Sequence, residues 1–180
     1  MEFTEVIKGR RSIRKYEDKP IDEAVLKEIA ELSAYAPSWK NVQPTSYIAV
    51  TSAETKAKIS ESCGRAFEFN GKTTDRAAAV IAVVTKKGIS GFEKDGSFST
   101  SKEDRWEVFD AGIATQTFCL SAYEKGVGTC IIGIFNEDEI KEILGLSDEY
   151  GVAALIAAGY PEKEPAMPPR KSTDELLEII

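Results

Sequence analysis

The sequence feature that most constrains the fold is a continuous apolar run from Ala77 to Thr85. A strand with one solvated face alternates polar and apolar residues, whereas an unbroken run rich in valine and isoleucine is typical of a strand covered on both faces. Ser46 to Thr51, Thr129 to Ile134 and Val152 to Ala158 are also strand-like. These segments predict a sheet whose middle is buried, with helices packed against it.

Helical patterns separate the predicted strands. The longest spans Trp106 to Lys125, where apolar residues recur at helical spacing. Gly112, in its interior, costs about 1 kcal/mol of helix stability relative to alanine. We therefore expect tight packing to compensate for this residue, either in the core or across the axis of a dimer.

Three other segments are interpreted from local signals. Phe67 to Lys72 has the composition of a loop or turn, and Lys86 to Asp104, with three glycines and four serines, shows no periodicity. The second segment is either a lid over a site or a plain surface connection. Ser172 and Glu175 form a capping box, which favours a helix over Thr173 to Ile180.

Length and composition exclude several classes of protein. A chain of 180 residues with 42% hydrophobic content can bury one good core, so we expect one domain over residues 1–180. The net charge of −7 argues against a nucleic-acid partner. No apolar run approaches the roughly 18 to 20 residues of a membrane span, and the N-terminus does not resemble a signal peptide, so we expect a cytoplasmic protein.

Histidine is absent, and the three cysteines form no C-x-x-C pair. Ser-His and Cys-His catalytic pairs and histidine metal sites are therefore excluded, and neither a disulfide framework nor a zinc site is indicated. Cys119 and Cys130 stand in apolar stretches, where burial is more common than reactivity. Any chemistry is left to carboxylates, tyrosines, lysines or a bound cofactor.

Residues Gly9 to Tyr16 read GRRSIRKY and place four cations around a serine in an acidic protein. Arginine offers a planar fork of donors that matches phosphate oxygens, and a serine hydroxyl adds another donor, so the pattern suits a phosphomonoester. The alternative is a solvated basic stretch at the end of a helix, where cations complement the helix dipole. Composition alone leaves both interpretations open.

Four motifs in order resemble those of the nitroreductase family. GRRSIRKY is similar to the first signature, and APSWKNVQP at residues 36–44 is similar to the second, A-P-S-x-x-N-x-Q-P. DAGIA at residues 110–114 and GVGTCIIG at residues 126–133 resemble a long central helix that runs into a glycine-rich strand. PRK at residues 169–171 resembles the basic segment near the C-terminus of that family.

The resemblance implies an α+β fold, with a central, mainly antiparallel sheet of about four strands flanked by helices. It also implies noncovalent FMN at the interface of a homodimer whose C-terminal arms are exchanged between subunits. Thr173 to Ile180 is then either the helix that its capping box favours or an arm or strand that reaches over the partner subunit. No catalytic side chain and no metal ligand are assigned, because the flavin supplies the chemistry. The positions that match cofactor-binding residues of the family are Arg10, Arg11, Ser12, Arg14, Pro37, Ser38, Asn41, Asn70, Ile132, Gly133 and Arg170.

The family divides these positions among parts of the cofactor. Arg10, Ser12 and Arg14 would lie near the phosphate and pyrimidine end, with Arg11 adjacent and Arg170 on the phosphate. Pro37, Ser38 and Asn41 would come from the second subunit. Asn70 would contact the flavin ring, although it is equally typical of a turn former before Gly71. The backbone at residues 131–133 would pass behind the ring, since glycine permits close approach.

The activity that the resemblance implies is a ping-pong transfer of hydride from NAD(P)H, through flavin N5, to a nitroaromatic, quinone or similar flat acceptor. Two alternatives stay open. One is a flavoenzyme of the same fold with another reaction, such as dehalogenation, ene reduction or flavin breakdown. The other is a flavin-binding or nucleotide-binding module without catalysis. Trp39 and Thr45 depart from the family pattern, and Trp39 either walls the substrate pocket or packs in the dimer interface.

Overall fold

A computed structural model describes residues 1–180 and shows seven helices and a four-stranded antiparallel sheet. The predicted α+β fold with an antiparallel sheet is confirmed. The strands are β1 Thr45–Val50, β2 Ala79–Lys86, β3 Gly128–Ile132 and β4 Tyr150–Gly159. The helices are α1 Phe3–Gly9, α2 Glu23–Ser33, α3 Ala53–Ala66, α4 Glu68–Arg76, α5 Arg105–Glu124, α6 Glu137–Leu144 and α7 Thr173–Leu176, and a single 3-10 turn covers Trp39–Asn41.

The strand order is β1-β2-β4-β3, so β2 and β4 form the centre of the sheet. Successive side chains of a strand point to opposite faces, and those of β2 are buried on both. Val80 and Val84 pack in a cluster with residues of α3 and α6. Ile81 and Val83 pack on the other face with residues of α2 and α5. The apolar run thus lacks alternation because helices cover both faces of its strand.

The segment after α1 lies along the exposed edge of β3. The Ile13 N–H donates to the carbonyl of Thr129 at 2.9 Å. The hydroxyl of the buried Tyr16 lies 2.6 Å from the Ile13 carbonyl and 3.0 Å from the Ala157 carbonyl. A side chain at Gly159 would place its Cβ 2.8 Å from the Tyr16 ring, so only glycine admits the ring there. The basic segment is therefore attached to the sheet.

Helix α5 differs by only one residue at each end from the predicted helix over Trp106 to Lys125. Gly112 is exposed on its surface, and a Cβ built there meets nothing within 4 Å. The expectation that Gly112 packs tightly in the core of its own chain is therefore wrong. This observation does not test the second expected compensation, which is packing across a dimer axis.

The prediction of a loop or turn over Phe67 to Lys72 is wrong. Phe67 alone is extended, with φ −161°, and α4 begins at the next residue. The local sequence gives only a weak signal for this helix, because the helix is stabilised by packing against α3. Helix propensity does not include such tertiary packing. Lys86 to Asp104 holds only turns, bends and one isolated bridge after the first residue, as expected.

The capping box of Ser172 and Glu175 is present, but it begins only a four-residue helix, Thr173–Leu176. The helix that the capping box favours therefore covers only part of Thr173 to Ile180, and the single chain does not test whether this segment reaches over a partner subunit. None of the helices combines the length and the apolar character that crossing a membrane requires.

Replacement of Gly71 by alanine tests the contact between α3 and α4. The new Cβ would lie 2.7 Å from the Cα of Gly64 and 2.8 Å from the Ser60 carbonyl oxygen, so the two backbones would have to separate. We expect the free energy of unfolding, measured with urea, to fall by about 1 to 3 kcal/mol. Gly64→Ala is the control, because its Cβ would make an ordinary 3.7 Å contact. Equal stability of the two variants would contradict the packing.

Candidate functional site

The first part of the candidate site is a row of polar side chains along the β3 edge. Ile13 is buried and anchors the segment to Thr129, while Arg10 and Ser12 are half-buried and Arg14 is exposed. Alternate residues of an extended segment share a face. The segment therefore presents Arg10, Ser12 and Arg14, which we call the arginine row, on the side opposite the core.

The arginine row has no carboxylate partner. No ion pair involves Arg10 or Arg14, although the chain has a net charge of −7. The Arg14 guanidinium donates only to the Ser12 carbonyl, at 3.3 Å, and the Arg10 guanidinium donates to no protein atom. Cations left free of carboxylates in an acidic protein are available for an external anion.

Arg11 has a different environment from the arginine row. Its Nη1 donates to the carbonyls of Lys8, Gly9 and Arg10 at 2.6 to 3.2 Å, which are carbonyls at the end of α1. A cation at this position also complements the helix dipole. The structure thus gives Arg11 a capping role and does not bring its charge to the same place as Arg10 and Arg14.

The end of β3 forms the second part of the site. Gly133 is exposed and has open space where a Cβ would be, while Ile131 is 45% exposed and Ile134 is 56% exposed. Ile132 is only 2% exposed as a whole residue and its side chain belongs to the core, so this side chain is not available to a ligand. An apolar surface with a gap at its centre suits a flat ring.

Asn70 lies beside this strand end, within α4. Its side-chain nitrogen donates to the Ile134 carbonyl at 3.0 Å. The interpretation of Asn70 as a turn former is therefore wrong, because the residue lies inside a helix. The sequence analysis expected only the backbone at residues 131–133 to approach a ring, and did not nominate the side chains of Ile131 and Ile134, although the apolar residues on both sides of Gly133 were a signal for them.

The third part of the site is the turn at residues 37–43. Ser38 Oγ accepts the Gln43 N–H at 2.9 Å, and the Trp39 N–H donates to Asp110 at 3.0 Å. A cavity of about 320 Å³ lies behind the turn and is lined by residues that include Pro37, Ser38 and Asp110. The Trp39 ring packs within its own chain, 4.7 Å from the Trp106 ring.

One chain does not bring all the nominated residues together. The turn contacts α5 at Asp110, whereas Gly9, which precedes the arginine row, packs on Tyr123. Thirteen residues of helix separate these two contacts, a rise of about 20 Å. Arg170 is exposed in the C-terminal segment and donates only to the carbonyls of Pro168 and Pro169. The arginine row and Gly133 share one edge of the sheet, and the turn lies elsewhere.

The fold and the arginine row define an α+β protein in which a basic segment follows the edge of an antiparallel sheet. The nitroreductase family model matches residues 7–160. A solved structure of a nitroreductase family protein from Clostridium novyi NT is 36% identical with a TM-score of 0.78, and the match covers 90% of this chain and 86% of that chain. The chain therefore belongs to the nitroreductase family.

Two further matches agree with this family and fold. A protein of Archaeoglobus fulgidus with the provisional name NADH dehydrogenase/NAD(P)H nitroreductase is 32% identical over 167 residues, which cover 91% of this chain and 87% of the relative. A solved structure of a provisionally named nitroreductase from Exiguobacterium sibiricum, in complex with FMN, has a TM-score of 0.87 at 23% identity and covers 100% of this chain and 98% of that chain.

The three thiols are predicted to be unreactive in the folded protein. Burial raises the pKa of Cys63 to about 11 and raises the pKa values of Cys119 and Cys130, the last only partly offset by Arg14 and Arg10. Ellman's reagent at about pH 8 should modify the native protein at least about tenfold more slowly than the unfolded protein, because the thiolate is the reactive form. Rapid modification of native protein would contradict this burial.

Proposed function

We propose that this protein is an FMN-dependent oxidoreductase that uses NAD(P)H to reduce a small flat acceptor, such as a nitroaromatic compound or a quinone, in a ping-pong reaction. The observation that carries the proposal is the arginine row, which is free of carboxylates and lies on the same sheet edge as the open backbone at Gly133. The provisional names of relatives such as the Archaeoglobus protein support the use of NAD(P)H.

The residues present fit FMN in both charge and shape. Arg10, Ser12 and Arg14 supply donors for a phosphate and for polar atoms of the pyrimidine ring. Gly133 leaves space for a flat ring, and Asn70, whose amide nitrogen already donates to Ile134, retains a carbonyl oxygen as an acceptor. FMN, when bound, supplies the hydride chemistry. The chain itself binds and orients FMN and excludes water from it, and no side chain is required as a nucleophile.

The cations of the arginine row have a second role in this proposal. Positive charge near the cofactor stabilises the additional negative charge of its reduced form. Tyr16 and Cys130 lie next to the row, but burial raises the pKa of each, and both therefore stay neutral near pH 7. The positive field is thus not cancelled by neighbouring anions of the same segment.

We further propose that two copies of the chain form the complete site. Val108 is 69% exposed and Phe109 is 58% exposed on α5, and Gly112 lies open on the same surface with Ile113. Pairing of two such faces would cover these apolar side chains and would bring the turn of one copy to the arginine row of the other. Pro37, Ser38 and Asn41 would then contact the cofactor of the partner subunit.

The C-terminal arm is proposed to cross to the partner. Its last apolar side chains, among them Leu177 and Ile179, are exposed in the single chain. Strand β1 lies at the edge of the sheet beside a groove of about 590 Å³ lined by apolar residues that include Leu26 and Tyr47. An exchanged arm would cover the groove and its own apolar side chains, and would carry Arg170 toward the FMN phosphate.

We also propose a single domain over residues 1–180. Both core clusters share one sheet, which supports this assignment.

The cofactor assignment is tested with an absorption spectrum after FMN addition and desalting, followed by anaerobic NADH or NADPH. We expect a retained band near ~450 nm that bleaches with a pyridine nucleotide. Arg10→Ala with Arg14→Ala should weaken FMN binding about tenfold or more, because it removes two charge-assisted contacts. Lys27→Ala with Lys58→Ala removes the same charge from exposed ion pairs and should bind FMN normally. Wild-type affinity in the arginine variant would contradict the site.

The dimer is tested by light scattering during size-exclusion chromatography. The wild-type protein should have twice the 19.7 kDa mass of one chain. Phe109→Glu should shift the equilibrium to the monomer, because it would bury two carboxylates in the proposed interface. Ala57→Glu places a similar charge on an exposed position of α3 and should remain dimeric. A monomeric wild type, or a fully dimeric Phe109→Glu variant, would refute the interface.

A further inference from the structure

The turn at residues 37–43 has an unusual backbone conformation. Lys40, Asn41 and Gln43 have φ values of 43°, 56° and 49°. These values fall in the left-handed region, which residues other than glycine rarely occupy because Cβ approaches the backbone. Three such residues within four positions persist only where surrounding contacts hold them.

The interior contact of this turn is the carboxylate of Asp110 on α5. Asp110 is 3% exposed, and its Oδ2 accepts the Trp39 backbone N–H at 3.0 Å and the Ser90 hydroxyl at 2.6 Å. Ser90 is fully buried in the segment between β2 and α5. A buried carboxylate is unfavourable unless donors satisfy it, so one oxygen ties both segments to α5.

The other contacts of the turn are a hydrogen bond within it, from the Gln43 N–H to Ser38 Oγ, a contact between rings and an ion pair. The Trp39 ring packs on Trp106, and Lys40 Nζ lies 2.8 Å from a carboxylate oxygen of Glu93. Both members of this ion pair are about half exposed, and exposed pairs contribute little to stability. Asp110 is therefore the buried, directional restraint on the backbone immediately before the left-handed residues.

We propose that Asp110 is a positioning residue, which holds the turn in its left-handed conformation so that Ser38 and Asn41 are preorganised for the flavin of the partner subunit. This role rests on the proposed function, since it requires the turn to contact FMN. Neither the motif nor the composition of the sequence distinguishes Asp110 from an ordinary helix carboxylate. Its burial and its two donors assign this role.

The test compares the FMN dissociation constants of Asp110→Ala, Asp110→Asn and Ser90→Ala with that of the wild type. We expect Asp110→Ala to raise the constant about tenfold, since it removes a charged acceptor that orients the turn. Asp110→Asn keeps an acceptor oxygen and should recover part of the loss, and Ser90→Ala should have a smaller effect. Ser121→Ala is the matched control, because its buried hydroxyl bonds only within α5, to the Thr117 carbonyl.

A double-mutant cycle separates positioning from general destabilisation. Asn41→Ala should weaken FMN binding in the wild-type background. It should have a smaller further effect in the Asp110→Asn background, where Asn41 is held less firmly, and little further effect in the Asp110→Ala background, where Asn41 is no longer held in place. Measurements are made well below the melting temperature of each variant. Loss of stability alone would leave the effect of Asn41→Ala unchanged in all backgrounds.

The outcomes distinguish the two proposals. A wild-type protein that does not bind FMN would overturn the proposed function, and this role of Asp110 with it. If the wild type binds FMN, additive effects of Asp110→Asn and Asn41→Ala would overturn the positioning role. If Asp110→Ala does not fold, Asp110→Asn and Ser90→Ala still decide the matter, and wild-type affinity in both would refute the inference.

Discussion

The antiparallel pairing of β2 with β4 is the interaction on which the rest of the structure depends. These two strands pair from Ala79–Ala158 to Lys86–Tyr150 and separate the two core clusters. Because both strands are buried on both faces, all their backbone polar groups need partners within the sheet. Helices α2 and α5 on one face, and α3 and α6 on the other, then have apolar surfaces on which to pack.

The edges of the sheet provide the polar features of the molecule. Strand β3 has a free edge beyond β4, and the segment after α1 uses that edge through the Ile13 N–H. Glycines at positions 128 and 159 remove the side chains that would block Ile13 and Tyr16. Close packing beneath the arginine row therefore determines its position, while its guanidinium groups remain free of carboxylates.

Helix α5 connects the core to two parts of the proposed site, the turn and the arginine row. One of its faces packs on the sheet through residues such as Phe118 and Ala122, and another leaves Phe109 and Gly112 open. Near its start, Asp110 restrains the turn at residues 37–43, and near its end Tyr123 supports Gly9. A helix that is apolar on more than one face is typical of a buried helix, and a second copy of the chain would complete that burial.

The sequence by itself determined the buried central strand, the length of α5 and the family, because long apolar runs, helical periodicity and ordered motifs depend on local patterns. Tertiary structure alone decided that Glu68 to Lys72 lies in a helix, since the contact between Gly64 and Gly71 joins separate segments. It also decided that Arg11 caps α1 while Arg10 and Arg14 remain free, and that Ile132 faces the core. Adjacent residues of one motif thus received different surroundings, because alternation along an extended chain and distant packing partners determine where each side chain points.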